Sequence, residues 1–331
     1  MVELKDPTLL RQSCLIGGEW VPADFGDTAD VLNPATGEVV GWVPQLGAVE
    51  TRRAVQAAEQ ALPAWRALLA KERGRILRRW FDLIIDHQED LAQILTAEQG
   101  KPYKEALSEV VSGAQFIEWF AEEARRAYGQ TIPSPAPDRR VVVIKQPIGV
   151  CAAITPWNFP STIVTRKAAA ALAAGCTMVL RPDTTTPFSA LALAELADRA
   201  GVPSGVLNVI TGVPEEIGLE LTTHPVVRKV SFTGSTRVGR ILMEQSASTI
   251  KKLALELGGN APFVVFEDAD IDAAADGALA SKFRNSGQAC VGTNRFYIHE
   301  AVYEEFAAKL VDRVRNIVVG TGLSRRPRWA R

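Results

Sequence analysis

From Gly149 to Ala247, short apolar runs alternate with longer helical ones, and this alternation limits the possible folds more than any other feature of the chain. "GVCAAITP" (149–156) reads as a buried strand and "STIVTRKAAAALAAG" (161–175) as a helix. "TMVL" is the next strand, and "TPFSALALAELADRAG" a helix that stops at Gly201. "LNVI" and "VRKVSFTG" follow as strands, then the helix "TRVGRILMEQSA". Strands that are apolar on both faces, linked by helices, predict a parallel, doubly wound, Rossmann-like α/β sheet. Such a sheet takes ligands at the carboxyl ends of its strands.

Two flanking regions differ in texture. Residues 15–46 carry turn signals such as Asn33-Pro34 and Thr36-Gly37 between short strands, whereas residues 47–127 repeat apolar side chains at helical spacing. "TIPSPAPDRRVVVIKQP" (131–147) interrupts that helical stretch with prolines and a valine run, as expected of an arm that pairs with a partner subunit. Beyond "KKLALELGGN" a second α/β unit begins, with strands "PFVVF" and "RFYIH" and a helix near 270–286. The chain therefore divides into a first unit (1–130 and 149–255), an oligomerisation arm (131–148), a second unit (256–322) and an atypical tail (323–331).

Bulk properties exclude several functions. At 331 residues with net charge −1, the chain has no basic field for nucleic acid. No apolar run approaches the ~20 residues that span a bilayer, and "MVELKDPTLL" lacks a signal-peptide pattern. A cytoplasmic chain is expected, with no membrane partner. Cys14, Cys151, Cys176 and Cys290 are far apart and only three histidines occur, so free thiols are expected and no metal site.

Four short motifs carry chemistry, and each has an ordinary structural explanation beside it. In "FTGSTRVG", Gly234 ends a strand and Ser235 opens a helix, which suits a phosphate at the helix N-terminus or merely a capped turn. In "ELGGN", Glu256 is either a general base or an exposed carboxylate before a turn. "TPWNFP" offers the Asn158 amide as an oxyanion donor, or a turn flanked by core aromatics. In "FRNSGQACVGTN", Cys290 is a buried, inert thiol or a nucleophile on a glycine-flanked loop. A thiol, a carboxylate, an amide donor and a dinucleotide cradle together are the parts needed to oxidise an aldehyde through a thioester.

"TPWNFP", "FTGST", "LELGGN" and "GQAC", in this order and at these separations, closely resemble the NAD(P)-dependent aldehyde dehydrogenases, from about Leu15 to about Gly322. "TRKAAAALAAGCTMVL" and "SKFRNSGQAC" are similar to the succinate-semialdehyde members of that family. The resemblance implies the aldehyde dehydrogenase fold, with the first unit as cofactor domain and the second as the start of the catalytic domain. It implies Cys290 as nucleophile, Asn158 and the Cys290 backbone N–H as oxyanion donors, and Glu256 as general base. It also implies a cofactor lining of Thr155, Trp157, Asn158, Arg181, Thr184, Gly234, Ser235, Gly239 and Leu257.

Arg166 and Arg284 match positions where those enzymes hold the substrate carboxylate. Their ordinary explanations are a solvated helix face and a cation at a helix C-terminus. Relatives that prefer NAD tend to carry Glu where this chain has Thr184, so NADP is the expected cofactor with NAD usable; Asp183 is an awkward neighbour for a 2′-phosphate. Succinate semialdehyde is the expected substrate, with glutarate semialdehyde as competitor, and a homo-oligomer is expected of an intact member. "SRRPRWAR" departs from the family pattern where more chain should follow. The competing expectation is an aggregation-prone, inactive fragment that retains at most nucleotide binding.

Overall fold

A computed structural model describes residues 3–323 and the short strand Trp329–Ala330. Most of the atypical tail thus lies outside the described residues. The elements, in chain order, begin with β1 (Cys14–Ile16), β2 (Glu19–Val21), β3 (Thr28–Leu32) and β4 (Val39–Pro44). Four helices follow: α1 (Ala48–Ala67), α2 (Ala70–Asp86), α3 (Gln88–Gln99) and α4 (Tyr103–Glu123). A hairpin, β5 (Gln130–Ile132) and β6 (Val141–Val143), leads into β7 (Val150–Ile154), α5 (Thr162–Ala173), β8 (Thr177–Arg181) and α6 (Phe188–Arg199). Then come β9 (Leu207–Val209), α7 (Pro214–Thr223), β10 (Val227–Thr233), α8 (Thr236–Ala247) and β11 (Lys252–Glu256). The last group is β12 (Ala261–Val265), α9 (Ile271–Phe283), β13 (Thr293–Ile298) and α10 (Tyr303–Arg315).

The main sheet has the order β11-β10-β7-β8-β9-β1-β2. Its first five strands are parallel; β1 joins β9 antiparallel through Leu15↔Val209, and β2 pairs antiparallel with β1. The expected parallel sheet is therefore extended at one edge by an antiparallel hairpin. Every residue of β7 and β8 is buried, which explains their unbroken apolar sequence. The two faces feed different cores: Cys151, Ala153, Met178 and Leu180 pack with α2–α6, whereas Val150, Ala152, Ile154 and Val179 pack with α1, α7 and α8.

Helix α7 is absent from the sequence reading. Pro214 at its first turn and Glu215 and Glu216 beside its N-terminus are ordinary start signals. It carries the chain from β9 across to β10 on the other side of β7. The strand order thus reverses between β7 and β10, and a crevice is expected at their carboxyl ends.

Beyond β11, β12 and β13 form a two-stranded parallel sheet packed on α9 and α10 around Val265, Ile271, Ala275, Ala278 and Phe306. Regular helix stops at Phe283, short of the expected 286, because Asn285 and Ser286 take left-handed backbone conformations. The β5–β6 hairpin is exposed at all its strand residues. No helix among the described residues is long and apolar enough to cross a membrane.

Candidate active site

The reversal point between β7 and β10 gathers the carboxyl ends of four adjacent parallel strands. Ile154 pairs with both Arg181 and Phe232, and Thr233 pairs with Glu256, so the residues that leave these strands share one edge. Thr155 is buried, with its N–H donating to the Arg181 carbonyl at 3.0 Å. Arg181 is buried as well, and its Nη2 donates to Thr184 Oγ1 at 2.9 Å. Burial holds the Arg181 pKa below its usual value. Thr155 Oγ1 and Arg181 Nε are buried here without a partner among the described residues, a state that suits a polar ligand along this edge.

Asp183 turns away from this role: its Oδ1 accepts from both the N–H and the hydroxyl of Thr185. Ser235 caps α8 by accepting from Val238 N. Packing accounts for the two glycines of the turn. A Cβ on Gly234 would lie 2.4 Å from the Phe232 ring, and one on Gly239 would lie 2.8 Å from Leu257. Trp157 is exposed rather than part of the core.

Beside this edge opens a cleft of about 620 Å³. Glu256 at the end of β11, Cys290 on the loop after α9, Arg166 on α5 and Arg284 after α9 all line it. Its walls include the aromatic rings of Phe116, Trp119 and Phe120 from α4 and of Phe159 from the loop after β7. Arg166 lies 4.3 Å from the centre of the Phe116 ring, and Arg284 lies 5.4 Å from that of Phe159. Neither guanidinium is in an ion pair among the described residues, so both face the cleft with hydrogen-bonding capacity to spare. Cys290 is exposed, whereas Cys14, Cys151 and Cys176 are buried.

Asn158 does not itself line the cleft. Its Nδ2 donates to the Gln288 carbonyl at 2.9 Å, which puts the amide against the Cys290 loop. One hydrogen of that amide remains for another acceptor. Two residues that escaped the sequence reading support this arrangement. Lys101, 2% exposed, forms a buried ion pair with Glu109 and donates to the Asn158 carbonyl at 2.9 Å. Glu109 in turn accepts from the N–H groups of Ser161 and Thr162 at 2.9 and 3.2 Å. The sequence signal was a lysine directly before the helical run of α4, with a glutamate two turns on; its partner loop lies more than fifty residues away.

Lys167 also lines the cleft and donates to Ser231 Oγ at 2.8 Å. Burial lowers its pKa to about 8 against the pull of Glu256. The cleft therefore combines an exposed thiol, a carboxylate and three basic side chains, Arg166, Lys167 and Arg284, while the Asn158 amide lies beside it against the thiol's loop.

Residues 20–329 match the model of the aldehyde dehydrogenase family. The chain belongs to the aldehyde dehydrogenase family. Its relatives in that family include the glutarate-semialdehyde dehydrogenase of Pseudomonas aeruginosa, 61% identical over 97% of this chain and 67% of that protein. The NADP(+) succinate-semialdehyde dehydrogenase GabD of Escherichia coli is 62% identical, with the same coverage. The crystal structure of the succinate-semialdehyde dehydrogenase from Burkholderia pseudomallei superposes with TM-score 0.98 at 59% identity, covering 99% of this chain and 68% of that one. The aldehyde dehydrogenase match includes the whole edge from Thr155 to Leu257 and the loop that carries Cys290.

Proposed function

We propose that this chain oxidises succinate semialdehyde to succinate, with NADP as hydride acceptor and NAD usable. The observation that carries the reading is one apolar cleft holding Cys290, Glu256 and the guanidiniums of Arg166 and Arg284, neither in an ion pair among the described residues. A guanidinium suits a carboxylate, and two of them select an aldehyde that bears an anionic group. Relatives at 57–62% identity are named for glutarate semialdehyde, succinate semialdehyde and 3-sulfolactaldehyde, all of them anionic aldehydes.

Cys290 Sγ forms a bond to the aldehyde carbon as the C=O π bond opens onto oxygen, and the thiol proton passes to the solvent that reaches the exposed thiol. The negative oxygen is held by the free N–H of Asn158 and the backbone N–H of Cys290. A nicotinamide cofactor held along the edge by Thr155, Arg181 and Thr184 would supply the acceptor for the hydride that leaves this carbon. Glu256 takes a proton from the water that attacks the resulting thioester; the C–S bond breaks, and the acid departs as Cys290 is restored. Arg181 and Thr184 support NADP, since neither repels a 2′-phosphate and the Asp183 carboxylate is engaged by Thr185. Thr155, Trp157, Gly234, Ser235, Gly239 and Leu257 complete the proposed cofactor edge. The exposed β5–β6 hairpin supports assembly with further copies of the chain.

The test is to incubate the chain with succinate semialdehyde, NADP and, separately, NAD, while following reduced cofactor and the mass of Cys290-containing peptides. Acyl adduct on Cys290, lost in Cys290→Ala and accumulating in Glu256→Gln, is the expected result. Oxidation that persists in Cys290→Ala would refute the assignment. Parallel assays with glutarate semialdehyde rank the competitor, because one methylene is worth only ~1–3 kcal/mol in an apolar pocket.

A further inference from the structure

Asn285 is 1% exposed and takes a left-handed φ of 51° on a loop whose neighbours from Arg284 to Cys290 are half-buried or exposed. A buried amide must be hydrogen-bonded to be tolerated, and the partners of Asn285 are specific. Its Nδ2 donates to the Asn158 carbonyl at 2.8 Å and to the Gln288 carbonyl at 3.2 Å. The same Gln288 carbonyl accepts from the Asn158 side chain at 2.9 Å. Two side-chain amides and two main-chain carbonyls thus close a ring between the loop after β7 and the loop of Cys290. Both ends are anchored to α4 and its approach: the Asn285 N–H donates to Glu105 Oε2 at 2.8 Å, and Lys101 holds the Asn158 carbonyl.

We propose that Asn285 is a positioning residue, whose amide ties the nucleophile loop to the oxyanion donor and so sets Cys290 against Asn158. The catalytic part of this proposal rests on the reading of those two residues given above. Asn285, Ser286 and Gly287 all have positive φ, and this reversal brings the chain back to the cleft after α9. Asparagine suits the first of these positions because it tolerates the left-handed region better than most residues and carries two donors. Glycine accepts the same backbone but has no amide, so Asn285→Gly removes the tie without adding strain.

Hydrogen–deuterium exchange by mass spectrometry tests the tie without relying on turnover. In Asn285→Gly, peptides covering 284–292 and 156–163 should both exchange about tenfold faster, while those covering 177–181 in β8 stay at the parent rate. In the same variant kcat should fall on the order of 10- to 100-fold, with KM for the cofactor unchanged. Should Asn285→Gly not fold, the isosteric Asn285→Asp, which turns an acceptor towards two carbonyls, carries the same expectation. Exchange that is unchanged in either segment, or faster across all peptides alike, would overturn the proposal. Cys290→Ala separates the two readings, because it should stop oxidation while leaving the exchange of both segments at the parent rate. If it does not stop oxidation, the catalytic reading fails, and the tie is judged by exchange alone.

Discussion

Glu256 and Cys290 line one cleft but stand on two kinds of backbone. Glu256 ends β11, in register with β10 and, through it, with the fully buried β7 and β8. Cys290 rides an exposed loop between α9 and β13, next to a unit whose core is five buried side chains. On the strand side, β7 and β8 are packed on both faces of the sheet, and β11 is tied to them through β10. The loop is held by a few hydrogen bonds to Asn158, Gln288 and Glu105. On the proposed roles, a site of this design would keep its cofactor edge rigid and give Cys290 room to approach and leave the substrate. The consequence is a division of labour: damage to the strand side and the α4 support is paid in stability, whereas damage to the loop costs mostly rate.

The largest effect expected from this contrast is at Lys101. Lys101→Met leaves Glu109 buried without its cation, a loss of ~3–5 kcal/mol by analogy with other broken buried pairs. Cys290→Ala should change stability by no more than ~0.5 kcal/mol, since the thiol is exposed. Urea unfolding midpoints of the two variants and the parent measure this directly. Comparable losses in both would mean that the loop is as much a part of the cooperative core as the helices.

Next in size are the two arginines, which sample both sides of the contrast. Arg166 sits within α5, and Arg284 begins the loop. Each Arg→Met variant should raise KM for succinate semialdehyde ~10- to 100-fold, the worth of a charge-assisted hydrogen bond. KM for butanal should stay within about twofold. Equal losses on both aldehydes would make the guanidiniums props for Phe116 and Phe159 instead of carboxylate ligands.

The alternation of apolar runs and helices made β7, α5, β8 and α6 legible, because strands buried on both faces leave an unambiguous pattern. Helix α7 escaped despite clear start signals, since its amphipathic stretch is only ten residues long. The antiparallel β1–β2 edge could not be foreseen: one pairing, Leu15 with Val209, joins segments that share no local signal. Cys290, Glu256 and Asn158 stood out as a set by resemblance, while Lys101, Glu109 and Asn285 did not. Their roles exist only once α4, the loop after β7 and the loop after α9 meet. Gly234 and Gly239 carry a constraint that the sequence did not show: a Cβ on either would meet the Phe232 ring or Leu257.

A smaller effect should sharpen the picture of the strand edge. Thr184→Glu would place a carboxylate beside Arg181, whose Nη2 already reaches that side chain. The ratio of kcat/KM for NADP over NAD should fall about tenfold, or ~1.4 kcal/mol. An unchanged ratio would mean that position 184 does not face the ribose, and the edge would need another phosphate partner.

The smallest effect tests the one cleft group on the rigid side whose charge is costly. Lys167 is half-buried on α5, bonded to Ser231, and its pKa is lowered from 10.5 to about 8 by burial. Between pH 8 and 10.5 the unfolded chain holds a proton that the folded chain releases, so this group makes stability rise with pH across that window. Below pH 8 the cost of the buried charge is present in full. Lys167→Met removes the cost together with the bond to Ser231. Relative to the parent, the variant should therefore be most favoured near pH 7 and lose that advantage steadily towards pH 10. Solvent reaches part of the side chain, so the swing should be on the order of 1 kcal/mol, or ~2–4 °C in Tm. Melting both proteins at half-unit steps from pH 7 to 10 decides the point. A Tm difference that stays flat would show that Lys167 is hydrated in solution, and that the strand side of the cleft is looser than its packing indicates.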